Sequence, residues 1–400
     1  MSTLRDHGGR TGRGGLVGLP TWDRCAVMGV VNVTPDSFSD GGKWFDTELA
    51  VKHGLDLVAS GADLVDVGGE STRPGAARVD ESEELRRVVP VVRELAAAGA
   101  IVSVDTMRAT VAERAVEAGA TLVNDVSGGG ADPAMVPVVA AAGVPFVVMH
   151  WRGQSIDMNN RAVYRDVVGE VVAELRDSVE RAVAGGIAPD HIIVDPGLGF
   201  AKNAEHDLAL VANLARLREL GRPLLVAASR KRFLGRVLAG GVGSPPPARQ
   251  RDAATAAVSA IVAREGAWAV RVHEVRPSAD AVRVARAIES AATAAAAEAA
   301  TAAPAHGVAS SAVGAGPHRA TGSKAPGSGA TGPGATGSGR GAGTHDGYAP
   351  GAGDTGADRT GTNQVKTDRT DKAGRTGEAG RVCETDGAGG AGVANAEGAV

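Results

Sequence analysis

Four polar side chains spread along the sequence could together bind a nitrogen heterocycle. Asp105 and Asp195 can accept hydrogen bonds from ring N–H and amino groups. The amide of Asn124 can both accept and donate, and the ammonium of Lys231 can donate to a carbonyl or a ring nitrogen. These residue types therefore indicate a site for a polar ring with donors and acceptors along its edge.

A second group of side chains suits phosphate oxygens and a divalent cation. Arg271 and His273 are separated by one residue, so both would face the same side of a strand, and both can donate to phosphate. Asn32 offers a neutral oxygen, which suits a Mg²⁺ ion that keeps most of its waters and is otherwise held by phosphates. Together the two groups predict a polar heterocycle bearing a diphosphate, with Mg²⁺ as cofactor.

Each of these residues also has an ordinary structural explanation. Asp105 could cap a helix, Asn124 could belong to a turn, and Lys231 could be a surface charge at a helix start. Met149 could simply end a strand, and His273 could lie at the edge of the core. The functional interpretation depends on all of them following predicted strands in one chain.

Eight short apolar runs are typical of buried parallel strands, and polar residues follow each of them. The predicted strands are residues 26–31, 63–69, 101–104, 122–126, 144–149, 191–194, 224–228 and 269–272. Amphipathic helices are predicted between them, for example over residues 81–97, 109–118, 164–184 and 204–220. Eight such units predict a TIM (β/α)8 barrel, whose strand ends converge at one mouth. An open doubly wound sheet is the alternative, disfavoured because no G-x-G-x-x-G turn follows the first strand.

The composition changes at both ends of the 400-residue chain. From residue 291 onward it is mainly Ala, Gly, Thr, Ser and Pro, with almost no Leu, Ile or Phe. Such a segment cannot bury enough apolar surface to offset the entropy of ordering. We expect a disordered low-complexity tail over 291–400, apart from a few alanine-rich helical turns before Pro304, and a disordered extension over 1–22. The barrel domain is predicted to span residues 23–290.

Charge and cysteine content narrow the classes of partner. A net charge of −4 does not point to a nucleic-acid partner. No apolar run approaches the ~20 residues of a membrane span, and the start of the chain lacks the apolar segment of a signal peptide. Cys25 and Cys383 have no evident disulfide partner, which is typical of a reducing compartment, so a cytoplasmic location is expected.

Seven motifs, in the same order along the chain, resemble those of the bacterial dihydropteroate synthases, in particular those of high-GC Gram-positive bacteria. They are Met-Gly-Val-Val-Asn-Val-Thr-Pro-Asp-Ser-Phe-Ser-Asp-Gly-Gly at 28–42, the segment 68–75, Ser-Val-Asp-Thr at 103–106, Asn-Asp-Val-Ser-Gly at 124–128, Asp-Pro-Gly-Leu-Gly-Phe-Ala-Lys at 195–202, Ser-Arg-Lys at 229–231 and Arg-Val-His at 271–273. The motifs at 28–42 and 195–202 are long, which makes the resemblance specific. It covers about residues 23–290.

The resemblance implies an enzyme of folate biosynthesis. This family condenses 6-hydroxymethyl-7,8-dihydropterin diphosphate with 4-aminobenzoate, which forms 7,8-dihydropteroate and releases diphosphate. By resemblance, the residues that hold the pterin are Asp105, Asn124, Asp195 and Lys231, with Met149 packing near it. Arg271 and His273 would hold the diphosphate, and Asn32 would reach the Mg²⁺ ion.

The resemblance also implies two loops that order over the site once substrates are bound. They follow the first two strands and contain Phe38, Thr72, Arg73 and Pro74. The residues expected to line the aminobenzoate pocket are Phe38, Pro74, Phe200, Ser229 and Lys231. Arg73 would stabilise the departing diphosphate, and would act as a catalytic residue beside Asp105, Asp195 and Lys231. The family is usually a homodimer through helices on the outer wall of the barrel.

Three other functions are open on this sequence. A diverged paralogue could keep the barrel without the reaction, although Phe38, Thr72 and Arg73 are intact. A pterin-binding methyltransferase would share the pterin-binding residues, but it would not need the Ser-Arg-Lys motif or the Phe38 loop. Finally, the tail could be an interaction module, which an assay of the chain without residues 292–400 would reveal.

Overall fold

Eight parallel strands form the centre of the computed structural model, which describes residues 16–34, 43–70, 78–153, 158–240 and 243–302. The strands are β1 Ala26–Asn32, β2 Leu64–Gly68, β3 Val102–Asp105, β4 Leu122–Asp125, β5 Phe146–Met149, β6 Ile192–Asp195, β7 Leu225–Val226 and β8 Ala269–Val272. They are apolar along most of their length without alternation, because both of their faces are covered by other parts of the protein.

The sheet closes into the predicted TIM barrel. Its strand order is β6-β5-β4-β3-β2-β1-β8-β7, and every pair is parallel. A parallel bridge between Val194 and Leu224 joins the two ends of this order, and the Val194 amide donates to the Pro223 carbonyl at 2.9 Å. Closure pairs backbone hydrogen-bonding groups of the two edge strands and brings the carboxyl ends of all eight strands to one mouth.

Ten α-helices in the described part of the chain accompany these strands. They are α1 Lys43–Ala59, α2 Glu81–Ala97, α3 Ala109–Glu117, α4 Met135–Ala142, α5 Val167–Ala184, α6 Ala204–Ala212, α7 Leu214–Arg218, α8 Arg232–Leu238, α9 Asp252–Arg264 and α10 Val275–Ala302. Within the described ranges, no helix is both long and apolar enough to cross a membrane.

One predicted helix is interrupted. The continuous helix expected over 204–220 is divided into α6 and α7 at Asn213, whose backbone leaves helical geometry at φ −122° and ψ 37°. The Asn213 side chain donates from Nδ2 to the carbonyl of Ala209 at 2.8 Å. Asparagine competes for backbone hydrogen bonds in this way, so apolar periodicity alone could not show the break.

The interior contains two apolar cores. An outer core of mainly Val, Ala and Leu side chains fills the space between strands and helices. The inner core, inside the barrel, consists of Leu16, Leu19, Ala26, Met28, Leu64, Leu122, Val147, Ile193, Leu225, Trp268 and Ala269. Several of its members begin their strands, so it lies toward the end of the barrel opposite the mouth.

Described structure continues past both ends of the predicted 23–290 domain. Leu16 and Leu19, in the extension predicted to be disordered, are buried in the inner core, and Trp22 packs against it with its ring centroid 6.1 Å from that of Trp268. At the other end, α10 continues past residue 290 to Ala302, over the stretch where alanine-rich helical turns were expected before Pro304. Residues 1–15 and 303–400, which include most of the predicted tail, lie outside the described residues.

Candidate active site

A cluster of charged and polar side chains lies at the carboxyl ends of β2, β3, β4 and β8. Arg271 donates from Nε to Asp66 Oδ2 at 2.6 Å and from Nη2 to Asp105 Oδ2 at 2.7 Å. Asn124 donates from Nδ2 to the same Asp66 oxygen at 2.9 Å. Three of the predicted site residues therefore meet around one carboxylate that the sequence did not single out.

The strand register explains why these side chains meet. Asp105 lies level with Asn124 on one side and with Gly68 on the other. A Cβ atom at Gly68 would lie 3.4 Å from Asp105 Cβ, so the glycine leaves room for the Asp105 side chain. Asp66 lies two residues before Gly68 on β2 and so points to the same side of the sheet.

Burial changes the proton affinity of the two predicted aspartates. Burial raises the pKa of Asp105 to about 7, against the lowering influence of Arg271 and with a further upward push from Asp66. Burial also raises the pKa of Asp195, although Lys231 and the amide of Gly197, which donates to Asp195 Oδ1 at 2.6 Å, favour its charged form. Both carboxylates are therefore costly to keep ionised without a ligand that donates hydrogen bonds.

Lys231 joins this site from the turn after β7. Burial lowers the pKa of its ammonium to about 8, while Asp195 and Asp207 oppose that change. Its Nζ donates to the carbonyl of Leu198 and lies 5.0 Å from the ring centroid of Phe200. The predicted residues Lys231, Asp195 and Phe200 are thus brought together on one side of the mouth.

His273 and Ser229 form a second pair on the neighbouring turns. The His273 amide donates to Ser229 Oγ at 3.1 Å, and His273 Nδ1 lies 3.0 Å from the same oxygen. The serine therefore holds the imidazole of a residue that the sequence assigned to phosphate.

The remaining predicted residues fall into two groups. Met149 is buried at the end of β5, level with Asp195, and Asn32 is half-buried at the end of β1, level with Gly68. The loop residues expected to close over the site lie outside the described residues; they are Phe38, Thr72, Arg73 and Pro74.

Two buried charged residues beside the site were not singled out from the sequence. Asp66 is fully buried inside the apolar strand Leu-Val-Asp-Val-Gly, and a carboxylate within such a run is the signal that could have identified it. Its Oδ1 atom has no hydrogen-bond partner among the described residues.

The second missed feature is a buried amine, Lys202, beneath the loop that carries Phe200. Its Nζ donates to the carbonyls of Gly197 and Phe200 at 3.1 and 3.0 Å and lies 2.8 Å from His150 Nδ1. His150 Nε2 faces Glu174 Oε2 at 3.0 Å. Because a carboxylate only accepts, Nε2 carries the hydrogen and Nδ1 accepts from Lys202. Burial lowers the pKa of Lys202 to about 7 and that of His150 to about 4.

Charged side chains also join the two ends of the segment 71–77. Arg78 donates from Nε to Glu70 Oε1 at 3.0 Å, and Arg108 donates from Nη1 to Glu70 Oε2 at 2.9 Å. Arg108 also pairs with the buried Glu84, which accepts from the Thr106 hydroxyl at 2.6 Å. Both ends of the second predicted loop are therefore held next to β3.

Comparison with known proteins finds consistent similarity. Residues 28–273 match the family described as pterin binding enzyme. Dihydropteroate synthase of Mycobacterium leprae is 58% identical over 259 residues, which cover 64% of this chain and 91% of that protein. Dihydropteroate synthase of Bacillus subtilis is 42% identical over 255 residues, covering 64% of this chain and 85% of that protein.

Solved structures show the same similarity in three dimensions. The Xanthomonas albilineans dihydropteroate synthase with 4-aminobenzoic acid has a TM-score of 0.62 and 44% identity, and the match covers 67% of this chain and 94% of that one. The same enzyme in complex with 7,8-dihydropteroate has a TM-score of 0.60 and 41% identity, with 67% and 94% covered.

Proposed function

The chain belongs to the pterin binding enzymes and, within them, to the dihydropteroate synthases, and on that premise we propose how its barrel mouth carries out the reaction. The enzyme condenses 6-hydroxymethyl-7,8-dihydropterin diphosphate with 4-aminobenzoate to 7,8-dihydropteroate and diphosphate. The observation that carries the site assignment is the convergence of Arg271, Asp66, Asp105 and Asn124 at the mouth.

The pterin ring binds between Asp105 and Asn124 on one side and Asp195 and Lys231 on the other. The carboxylates accept from its amino and ring N–H groups, and Lys231 donates to its carbonyl or ring nitrogen. Asp66 is fully buried, and its part in this site is to hold the side chains of Arg271 and Asn124. Met149 packs near the ring. Hydrogen bonds from the ligand to both raised-pKa aspartates favour their ionised forms.

Arg271 and His273 bind the diphosphate. The described residues contain no group of three or more His, Cys, Asp or Glu side chains able to hold a metal ion. The chemistry of the donors fits a Mg²⁺ ion held by Asn32 and by the phosphates of the substrate, since Mg²⁺ keeps several waters and needs few protein ligands. When bound, the ion supplies positive charge to the leaving diphosphate.

The reaction replaces a carbon–oxygen bond by a carbon–nitrogen bond at the pterin methylene. The electron pair of the C–O bond leaves with diphosphate, and the electron-rich pterin ring stabilises the resulting cation. Arg271, His273 and the loop residue Arg73 stabilise the departing charge, while Asp105 and Asp195 stabilise the positive ring. The neutral amine of aminobenzoate then attacks the carbon and loses a proton, so no activated nucleophile is required. Catalysis rests on positioning and electrostatics.

The aminobenzoate binds next to the methylene, in a pocket formed by Phe200, Ser229 and Lys231. Phe38, Thr72 and Pro74, from the two loops, are proposed as further residues of this pocket. The supporting observation is that Lys231 lies close to Phe200, and that the turn which carries Lys231 also carries Ser229. We further propose a homodimer through the outer helices, and a cytoplasmic location.

One assay tests the proposed function. Purified protein is incubated with both substrates, with and without Mg²⁺, and 7,8-dihydropteroate is measured by mass spectrometry. We expect Mg²⁺-dependent product, its loss in Asp105→Asn, and unchanged turnover in the matched control Asp56→Asn, an exposed carboxylate on α1.

Two outcomes would contradict the proposal. Binding of the pterin without any product would favour a diverged paralogue or a methyltransferase. Equal turnover with and without Mg²⁺ would remove the metal from the proposal. Because Asn32 is proposed as the protein ligand, Asn32→Ala should raise the Mg²⁺ concentration needed for half-maximal turnover.

A further inference from the structure

The turn after β7 has an unusual backbone at the residue between Ser229 and Lys231. Arg230 has φ 59°, in the left-handed region, and Ala201 is the other described non-glycine residue with a positive φ. A residue with a Cβ atom disfavours this conformation, so the surrounding structure must impose it.

The beginning of α9 supplies that constraint. Arg230 donates from Nε and Nη2 to the two carboxylate oxygens of Asp252, both at 2.7 Å, and its amide donates to Thr255 Oγ1 at 3.1 Å. Arg251 donates from Nη1 to the carbonyl of Arg230 at 3.0 Å and lies 3.4 Å from that of Lys231. Both sides of the Arg230 peptide unit and its side chain are therefore bound to one short segment.

A glycine makes room for this arrangement. A Cβ atom at Gly235 on α8 would lie 2.8 Å from the guanidinium of Arg251, so any side chain there would displace the arginine. Arg251 also donates from Nε to the carbonyl of Pro246 at 2.9 Å. Arg251 thus links the segment before α9 to the turn that contains Arg230.

The turn presents its two flanking side chains to different partners. Ser229 Oγ binds His273, while Lys231 Nζ binds the carbonyl of Leu198 and lies against Phe200. Rotating the backbone at Arg230 would move both side chains at once, since they are one residue to either side of it.

We propose that Arg230 is a positioning residue for the second-substrate pocket: paired with Asp252, it holds the left-handed turn that places Ser229 and Lys231. This inference rests on the proposed function of those two residues. The two side chains of the ion pair are mostly buried, with exposures of 21% and 20%, so melting temperature is measured beside the kinetics to separate an effect on the turn from an effect on folding.

The test compares Arg230→Ala, Arg230→Gly and Asp252→Asn with the wild type. Arg236→Ala is the control, because it breaks a different ion pair, between α8 and Glu205 on α6 at 3.6 Å. The measurements are kcat and the KM of each substrate, together with melting temperature.

We expect Arg230→Ala and Asp252→Asn to lower kcat/KM for 4-aminobenzoate by at least about tenfold at a temperature well below the melting point of each variant, and the double variant to be no worse than the worse single one. Arg230→Gly should recover part of that loss, because glycine accepts a positive φ without a side chain. Unchanged kinetics in Asp252→Asn would overturn the proposal. A glycine variant as impaired as the alanine variant would also overturn it, since the guanidinium itself would then be the functional group. If Arg230→Ala does not fold, the kcat/KM of Asp252→Asn for 4-aminobenzoate tests the proposal by itself.

A measurement without turnover separates this proposal from the proposed function. The labelling rate of Lys231 by an amine-acylating reagent, followed by mass spectrometry, should show a midpoint near pH 8 in the wild type. In Arg230→Ala the midpoint should rise toward that of an ordinary lysine, because the ammonium leaves its buried position. An unmoved midpoint would overturn the positioning role, whereas a moved midpoint in a protein without turnover would overturn only the proposed function.

Discussion

Replacing Asp66 by asparagine should change the acidity of its neighbour Asp105. Asp66 Oδ2 accepts from both Arg271 and Asn124, and the single Oδ1 of an asparagine could keep both bonds. The new amide nitrogen would take the place of an oxygen without a partner in the described residues. The substitution therefore removes one buried charge while the geometry of the cluster is retained.

The size of the effect follows from Coulomb's law. Two unit charges about 5 Å apart, the span of one guanidinium, interact by about 3 kcal/mol at an effective dielectric constant of about 20. That energy corresponds to roughly 2 pKa units. Arg271 lies between the two carboxylates and reduces their repulsion. We therefore expect the pKa of Asp105, raised to about 7 in the wild type, to fall by about 1–2 units in Asp66→Asn.

The assay measures binding of 6-hydroxymethylpterin, which lacks the diphosphate and so avoids phosphate titration, from pH 5 to pH 9. In the wild type, affinity should fall as the pH drops below about 7, because protonation removes an acceptor at Asp105. In Asp66→Asn the midpoint should lie about 1–2 units lower. The ligand titrates identically with every variant, and Asp56→Asn, on the exposed face of α1, serves as control.

Two results would refute this reasoning. An unmoved or raised midpoint in Asp66→Asn would show that Asp66 does not act on Asp105. A transition that persists in Asp105→Asn would show that another group causes it.

Three further predictions concern other parts of the site and the chain. His273→Ala should weaken binding of the pterin diphosphate by about 10–100-fold but hardly affect the bare pterin, because a hydrogen bond to a charged group contributes about 1.5–3 kcal/mol; calorimetry with both ligands decides, and equal losses would exclude the phosphate role. Lys202→Met should lower the free energy of unfolding by about 2 kcal/mol or more, since the Phe200 carbonyl and His150 Nδ1 lose their donor; the exposed Lys52→Met is the control, and a neutral result would contradict the prediction. Burial lowers the pKa of Lys202 from 10.5 to about 7, so between pH 7 and 10.5 the unfolded chain binds more protons than the folded protein. The free energy of unfolding of the wild type should therefore rise with pH across this window, and Lys202→Met should lack that rise. A chain that ends at Ala302 should keep its melting temperature and turnover, since residues 303–400 contain no Leu, Ile, Phe, Trp or Met; a loss of more than a few degrees would show that the removed segment packs on the barrel.

The sequence by itself determined the fold and grouped the residues from which the site is proposed. A parallel strand buried on both faces must be apolar throughout, so the eight strands were recognisable locally, and the structure places each within a few residues of its predicted position. Since the carboxyl ends of barrel strands meet at one mouth, the residues after them could be grouped without knowing any distance. Asp105, Asn124 and Arg271 meet there as predicted.

Only the tertiary structure decided which groups are partners. Asp66 and Arg271 are separated by 205 positions, and closure of the barrel is what places β2 and β8 on either side of β1. Leu16 and Leu19 follow a Gly- and Arg-rich start, and their burial depends on the open end of the inner core. The contact of Lys202 with His150 and that of Arg230 with Asp252 likewise join segments that are distant in the sequence. The local pattern of apolar and polar residues shows whether a segment is buried or exposed. Hydrogen bonds and pKa shifts depend on individual atoms that only the closed barrel brings within a few ångströms.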